Sequence, residues 1–387
     1  MSYLQEHHVK IKTLSPVFIG SGQSLTKKEY IFVPAQNRII FIDLNKLTTL
    51  LVQKKLFDAY EDFVMSEEKD LYKWLKYQNI TRSEIESLKS YSIDPGDVAA
   101  KGLTGVELFI KDSASKNPYL PGSSIKGSIR TAILSSMAGG GHYAYLYDNL
   151  FNKVSNIGKK STNNRNHNEI NEGEFVEREC LHTLNLNDEY GKPVDKRNAA
   201  LSIMKGIRIS DSKPLDNSAL TLCRKLDVSP DGTINNHGNG INLARECIKP
   251  GQVFETTITL DTRILAGSNI TLDYILEKLR YFYSLQEKVF FSKFKESFQI
   301  DKTESNGCEI YLGGGVGFVS KTLLYPMFGY EKGLILTSEL LQKQFQGIDK
   351  NCDHEHDKER GVSPHMLKCT KFGGVFYRIG RCEVTIE

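Results

Sequence analysis

The sequence predicts an α+β fold. Strand-like alternation and helical periodicity both occur, and each is strong in places. They are mixed along the chain without the regular strand–helix–strand alternation that a parallel sheet requires. Turn signals rich in glycine and proline separate the segments.

Residues 9–42 read as β. Val9-Lys10-Ile11-Lys12-Thr13-Leu14 alternates, Pro16 and Gly20-Ser21-Gly22 interrupt, and Tyr30–Val33 and Arg38–Ile42 resume. Residues 44–90 read as helical: Leu47, Leu50, Leu51, Lys54 and Phe57 are spaced as on a helix, and an amphipathic stretch surrounds Trp74. This block interrupts β-rich sequence and is read as an insertion. Leu103–Ile110 is expected to be a strand, and a helix is expected from Pro121-Gly122-Ser123-Ser124 to about Met137, ended by Gly139-Gly140-Gly141. Residues 152–200 are rich in Asn, Lys, Glu and Gly, which suggests a long loop or extended hairpin. Residues 203–211 and 253–264 read as strands. Residues 271–298 read as the longest helix, with Ile275, Leu279, Phe282 and Leu285 near one face. Residues 372–386 are expected to be a final strand pair.

Size and charge narrow the function. A chain of 387 residues has room for two domains, or for one domain with large insertions, and it can bury a core without staples. The net charge of +3 gives no case for nucleic acid by itself, so any basic surface must be a local groove. The seven cysteines are scattered without a CxxC pair, which fits a reducing cytoplasm better than a secreted disulfide framework. No signal core and no apolar run of membrane-spanning length is present.

Three glycine motifs carry the functional expectation. The strongest is Tyr119-Leu120-Pro121-Gly122-Ser123-Ser124-Ile125-Lys126-Gly127-Ser128-Ile129-Arg130. Ser123 is expected to be the N-cap, and free N–H groups with the helix dipole would make an anion site. Ile125, Ile129, Ala132 and Ile133 would be the buried stripe, leaving Lys126 and Arg130 one turn apart, a spacing that suits consecutive phosphates. The alternative is a capped surface helix with two solvated charges. The second motif is Leu312-Gly313-Gly314-Gly315-Val316-Gly317-Phe318-Val319-Ser320-Lys321. Its successive N–H groups could form a phosphate nest, and the alternative is a simple hairpin turn. It superficially resembles the RNA-binding signature of RRM domains, but Val316 and Lys321 stand where that signature has stacking aromatics. The third is Gly20-Ser21-Gly22 after Ser15-Pro16.

Other signals do not build a site. There is no P-loop and no Gly-x-Ser-x-Gly elbow. Cys352, His354, His356, His365 and Cys369 match no standard zinc spacing, so neither metal nor cofactor is expected. His142 could act as a general base for RNA cleavage, but it has no partner nearby in sequence. Asp211 is expected to position a loop rather than bind metal.

The three motifs in this order resemble the RAMP superfamily of CRISPR proteins, and within it the fifth-subunit family of type III-A Csm effector complexes. Gly206–Ser212, the helix at 276–289, Pro364–Lys368 and Tyr377–Gly380 support the narrower resemblance. It implies a ferredoxin-like (RRM-like) RAMP core with helical and loop insertions. Residues 1–220 would form the N-terminal core, with a helical insertion at about 44–90 and a thumb-like insertion at about 152–200. Residues 221–387 would form a RAMP-like half carrying the glycine loop, and whether that half is a full second ferredoxin-like domain stays open. The resemblance further implies a non-catalytic subunit that caps the 3′ end of the crRNA and aids its maturation. Its partners would be the crRNA, other Csm subunits (above all the backbone RAMP subunit), cellular nucleases and, indirectly, target RNA. The RNA-binding residues it points to are Gly20, Ser21, Gly22, Ser123, Ser124, Lys126, Gly127, Arg130, Gly313, Gly314, Gly315, Gly317 and Lys321. Two rival readings are a RAMP-type endoribonuclease and an assembly subunit that touches only protein.

Overall fold

A computed structural model describes residues 2–98, 103–156, 172–235, 243–294, 300, 303–346 and 353–386. Strands β1 (Leu4–Thr13) and β2 (Gly20–Thr26) open the chain, followed by the hairpin of β3 (Tyr30–Val33) and β4 (Arg38–Ile42). Four helices come next: α1 (Leu44–Lys54), α2 (Phe57–Met65), α3 (Leu71–Tyr77) and α4 (Arg82–Ser87). The expected continuous helical block is broken at Lys55, whose left-handed backbone (φ 57°) ends α1. After β5 (Lys89–Ile93) and β6 (Gly105–Phe109), helix α5 (Gly122–Ala138) leads to α6 (Tyr147–Ser155) and α7 (Glu172–Leu181). Strands β7 (Ile207–Ile209), β8 (Leu220–Cys223), β9 (Leu226–Val228), β10 (Ile234–Asn235), β11 (Leu243–Ile248) and β12 (Val253–Asp261) precede α8 (Leu272–Val289). The chain then runs through β13 (Glu309–Tyr311), α9 (Leu324–Phe345), α10 (Asp357–Arg360), β14 (Leu367–Phe372), β15 (Val375–Arg378) and β16 (Arg381–Ile386).

The central sheet has the order β13-β16-β1-β12-β7, with antiparallel neighbours throughout. β1 sits in its middle, paired with β12 from Leu4↔Asp261 to Lys12↔Val253 and with β16 from Val9↔Ile386 to Thr13↔Cys382. Residues 1–220 supply β1 and β7, and residues 221–387 supply the other three strands, so the two expected halves share one sheet. Taken along the chain, β1, α5, β7, β12, α8 and β16 form a β-α-β-β-α-β succession.

The core follows from periodicity. Alternate residues of β12 (Phe254, Thr256, Ile258, Leu260) are buried, and so is the expected α5 stripe of Ile125, Ile129, Ala132 and Ile133. Except for Thr256, these join Val9, Ile11, Ile310, Val384 and the α8 residues Ile275, Leu279 and Phe282 in one cluster. Each buried Val, Ile, Leu or Phe among them contributes about 1.5–3 kcal/mol by leaving water. A second cluster stands apart: Ile31 and Ile40 of the β3-β4-β5 sheet pack with Leu47, Leu51, Phe63, Trp74 and Leu75 of α1–α3. Of two further sheets, β2-β6-β11-β8 carries the Gly20–Gly22 motif on β2, and β10-β9-β14-β15 carries the β14–β15 hairpin.

Several expectations are corrected here. Residues 203–206 form a 3-10 turn and only Ile207–Ile209 is strand, because Ile203 and Met204 are held in the core by tertiary packing. The polar stretch 152–200 includes the end of α6 and all of α7; residues 157–171 lie outside the described residues. The helix expected to 298 ends at Val289. α9 joins two helical pieces and was not expected, since Pro326, Gly329 and Gly333 interrupt its pattern; the 18-residue α8 is the longest uninterrupted helix among the described residues, as expected. Gly329 (φ 72°) kinks it. No helix among the described residues is long and apolar enough to cross a membrane.

Candidate nucleic-acid interface

The central motif starts α5, but not in the way its sequence suggests. Pro121, not Ser123, occupies the N-cap position, with extended backbone and no side-chain cap. The Gly122 N–H donates to the Asp211 carboxylate at 2.8 Å, and the Ser124 N–H donates to the Pro121 carbonyl at 2.9 Å. A carboxylate from a neighbouring segment therefore already complements the positive end of the helix. This corrects the expectation of an anion site built from free N–H groups, and it gives Asp211 its expected positioning role. Gly122 is needed for packing: a Cβ there would strike the Ile209 carbonyl oxygen. Leu120 and Ser212 tie the same two segments together through N–H donation to the Ser212 hydroxyl (2.8 Å) and back to the Leu120 carbonyl (3.0 Å).

What α5 does present is cations. Ser123 and Arg130 are exposed, while Ser124, Lys126 and Gly127 are half-buried. Arg130 meets Glu177 of α7 at 3.1 Å. Lys126 makes no ion pair among the described residues. Its own burial, then the charges of Arg130 and Arg208, hold its ammonium pKa below the ordinary lysine value. Arg208 and Arg263 are anchored at 3.1 and 3.6 Å by Asp261, whose side chain is 1% exposed while theirs are 56% and 64% exposed. Burial alone would raise the Asp261 pKa, yet N–H donors from Ile264 and Arg263 and the Arg263 charge bring it below the ordinary carboxylate value. A buried carboxylate thus holds two guanidinium groups at the surface, and the Arg208 group acts on Lys126 of α5 while the Arg263 group lies over the Tyr3 ring. Arg263 and Asp261 were missed from sequence because only the β12–β7 pairing brings them to Arg208.

The other two motifs are brought together. Gly313 bridges Phe18, and the Gly314 N–H donates to the Phe18 carbonyl at 2.7 Å. That N–H is committed internally, so the expected nest lacks one of its donors. Gly313 (φ 84°) is required by this contact, since a Cβ would overlap the Phe18 carbonyl oxygen. Gly380 closes the same corner through N–H donation to the Pro16 carbonyl and acceptance from the Leu312 N–H, both 2.9 Å. Gly315 lies against Arg245, and Gly317 lies against the Lys368 stem. Arg245 stacks 4.9 Å from the Phe18 ring and meets Glu107 at 2.6 Å. Burial and the neighbouring Lys368 lower the Lys225 pKa despite the opposing pull of Asp227. Arg245, Lys225 and Lys368 form a second cation group beside the loop. Arg245 and Lys225 carry no motif signal and arrive through sheet pairing. Gly20, Ser21, Gly22 and Lys321 are exposed, and the Ser21 hydroxyl donates to the Leu108 carbonyl at 3.2 Å. His142 is exposed on the turn after α5.

Such a protein is a mixed α+β scaffold that places cations beside tightly packed glycine corners. The RAMP superfamily profile matches residues 10–316, and the chain belongs to that superfamily. Within it the chain is Csm5-like. It is 27% identical over 410 residues to the CRISPR system Cms protein Csm5 of Mycobacterium tuberculosis (strain CDC 1551 / Oshkosh), covering 100% of this chain and 99% of that one. It is 28% identical over 373 residues to Csm5 of Streptococcus thermophilus, covering 94% and 87%. In fold it is similar to a chain of a cryo-EM Csm–crRNA–target RNA ternary complex from a type III-A CRISPR-Cas system (TM-score 0.63, 19% identity, 99% and 100% covered). It is also similar to the crystal structure of T. onnurineus Csm5 (TM-score 0.56, 17% identity, 96% and 99% covered).

Proposed function

We propose that the chain is a non-catalytic, RNA-holding subunit of a type III-A Csm complex that caps the 3′ end of the crRNA. The observation that carries this is the group of Lys126, Arg130 and Arg208 beside the start of α5, with a partly buried ammonium that has no partner among the described residues. Keeping like charges close costs stability, and a polyanion is the partner that offsets the cost. Gly315 and Gly317, beside Arg245 and Lys368, offer a second place where a sugar–phosphate backbone can come near. The names of the Csm5 relatives support membership of a Csm complex, and one structural neighbour comes from an assembly that contains crRNA and target RNA.

The β-α-β-β-α-β succession and the strand order with β1 beside both β12 and β16 support a ferredoxin-like core. On this reading residues 44–90 and 152–200 are insertions, and residues 221–387 complete the shared sheet while carrying the glycine loop. The partners are the crRNA and the other Csm subunits, above all the backbone RAMP subunit. Cellular nucleases would trim the RNA intermediate, and target RNA would be met through the guide.

The test is retention of end-labelled RNA by the chain and by its Lys126→Ala/Arg130→Ala variant, over a series of salt concentrations. Two lost phosphate contacts lower the slope of log affinity against log salt by about 1.4. An unchanged slope and unchanged retention would favour the assembly reading. Cleaved RNA, spared by His142→Ala, would favour the endoribonuclease reading.

A further inference from the structure

The C-terminal region holds a cluster of metal-ligating side chains that RNA binding does not use. Asp357, the first residue of α10, is fully buried. His354 approaches one of its carboxylate oxygens through Nδ1 at 2.9 Å, and His365 approaches the other at 2.5 Å. The two rings are 4.7 Å apart between centroids. The ligand atoms of the three residues lie within 4.8 Å of one another. The Ser363 hydroxyl donates to the carboxylate at 2.7 Å, and the Arg360 guanidinium stands 3.4 Å away while also pairing with Asp353. His365 lines a cavity of about 620 Å³ shared with Asp353 and Arg360, which gives the cluster an approach from solvent.

Two imidazoles and one carboxylate make a donor set that suits a borderline divalent cation. The residues come from two segments, the turn at 354–357 and the residue shortly before β14, so no contiguous finger spacing exists to be read. We propose that His354, Asp357 and His365 form a site for one Zn²⁺-class cation, entered through this cavity. The cation takes the place of the two imidazole–carboxylate hydrogen bonds. Each neutral ring moves its proton from Nδ1 to Nε2, so ligation by the rings releases no net proton. Ser363 and Arg360 fix the carboxylate from behind, the supporting role that outer partners play at metal sites. A cation there staples the 354–360 turn to the start of β14, the strand whose Lys368 flanks Gly317.

A neighbouring set, half-buried Asp353 with exposed Glu355 and His356, provides the control. The full chain, stripped with chelator and dialysed, is equilibrated with micromolar Zn²⁺ alone or Co²⁺ alone. Wild type is expected to take up one cation per chain at this site. His365→Ala is expected to lower affinity at least tenfold, with His356→Ala unchanged. Because His365→Ala could disturb folding, His365→Cys is measured as well; a thiolate ligand at that position adds a sulfur-to-Co²⁺ charge-transfer band. No uptake by wild type overturns the proposal. So does uptake lost in His356→Ala but kept in His365→Ala, or a folded His365→Cys that binds Co²⁺ without the new band.

Discussion

Gly313 and Gly127 sit in motifs of similar appearance and do opposite work. At Gly313 the backbone is left-handed, and the space a Cβ would need is filled by the Phe18 carbonyl. At Gly127 the backbone is helical, and a Cβ would meet nothing within 4 Å. The first glycine is explained wholly by the fold, since it lets the N-terminal turn and the late loop close on each other. The second is not explained by the fold at all. A glycine inside a helix costs about 1 kcal/mol relative to alanine, and here nothing internal returns it. The comparison separates a glycine that the scaffold requires from one that it does not.

The largest expected effect breaks the scaffold member of the pair. Gly313→Ala combines a forbidden backbone region with overlap on a carbonyl, so it should lower unfolding free energy by about 3 kcal/mol or more. Denaturant titration reads this as a lower midpoint. An unchanged midpoint would mean that the contact between Phe18 and the late loop is not a fixed part of the fold. Gly127→Ala sharpens the other side. It should raise stability by about 0.5–1 kcal/mol while lowering RNA retention, because on the proposed reading the added methyl would stand where a sugar–phosphate backbone approaches beside Lys126. Higher stability with full retention would remove Gly127 from the interface and leave the cations to act alone.

The same contrast shows what the sequence could reveal. Periodicity reports which face is buried, so the α5 stripe, the alternation of β12 and the β1 strand were legible from residues alone. Glycines report that something comes close, but not what. Gly313 was read as a phosphate-facing glycine, and its Cβ space is filled by the Phe18 carbonyl, while Gly122, singled out for no contact, is packed against the Ile209 carbonyl. Capping was misjudged for a similar reason. Ser123 has the right chemistry, but Pro121, two residues earlier, presets the backbone at the N-cap, and Asp211 reaches in from 89 residues away. The α9 helix was hidden because Pro326 and Gly329 read as breakers, while the surrounding core tolerates the kink. Lys225, Arg245 and Arg263 become site neighbours only through strand pairing, which no local pattern encodes. His354 and His365 were visible as residues, but Asp357, the group that joins them, drew no attention in a run of ordinary charges.

The smallest expected effect asks whether Lys126 is kept for binding or for stability. Its pKa is lowered by burial first and by Arg130 and Arg208 next. The folded chain therefore holds this proton less tightly than the unfolded chain does. A group of that sign destabilises the fold at neutral pH, where both states are protonated. The penalty fades as pH rises through the lowered folded value toward the ordinary lysine value. Lys126→Met keeps the aliphatic stem and removes the charge, so it should give a slightly higher denaturation midpoint at pH 7. The gap to wild type should narrow in alkaline buffer, and RNA retention should fall at every salt concentration. A Met variant that is less stable at pH 7 would show that the ammonium supports the fold, and the surface beside α5 would then lose its strongest claim to an external anion.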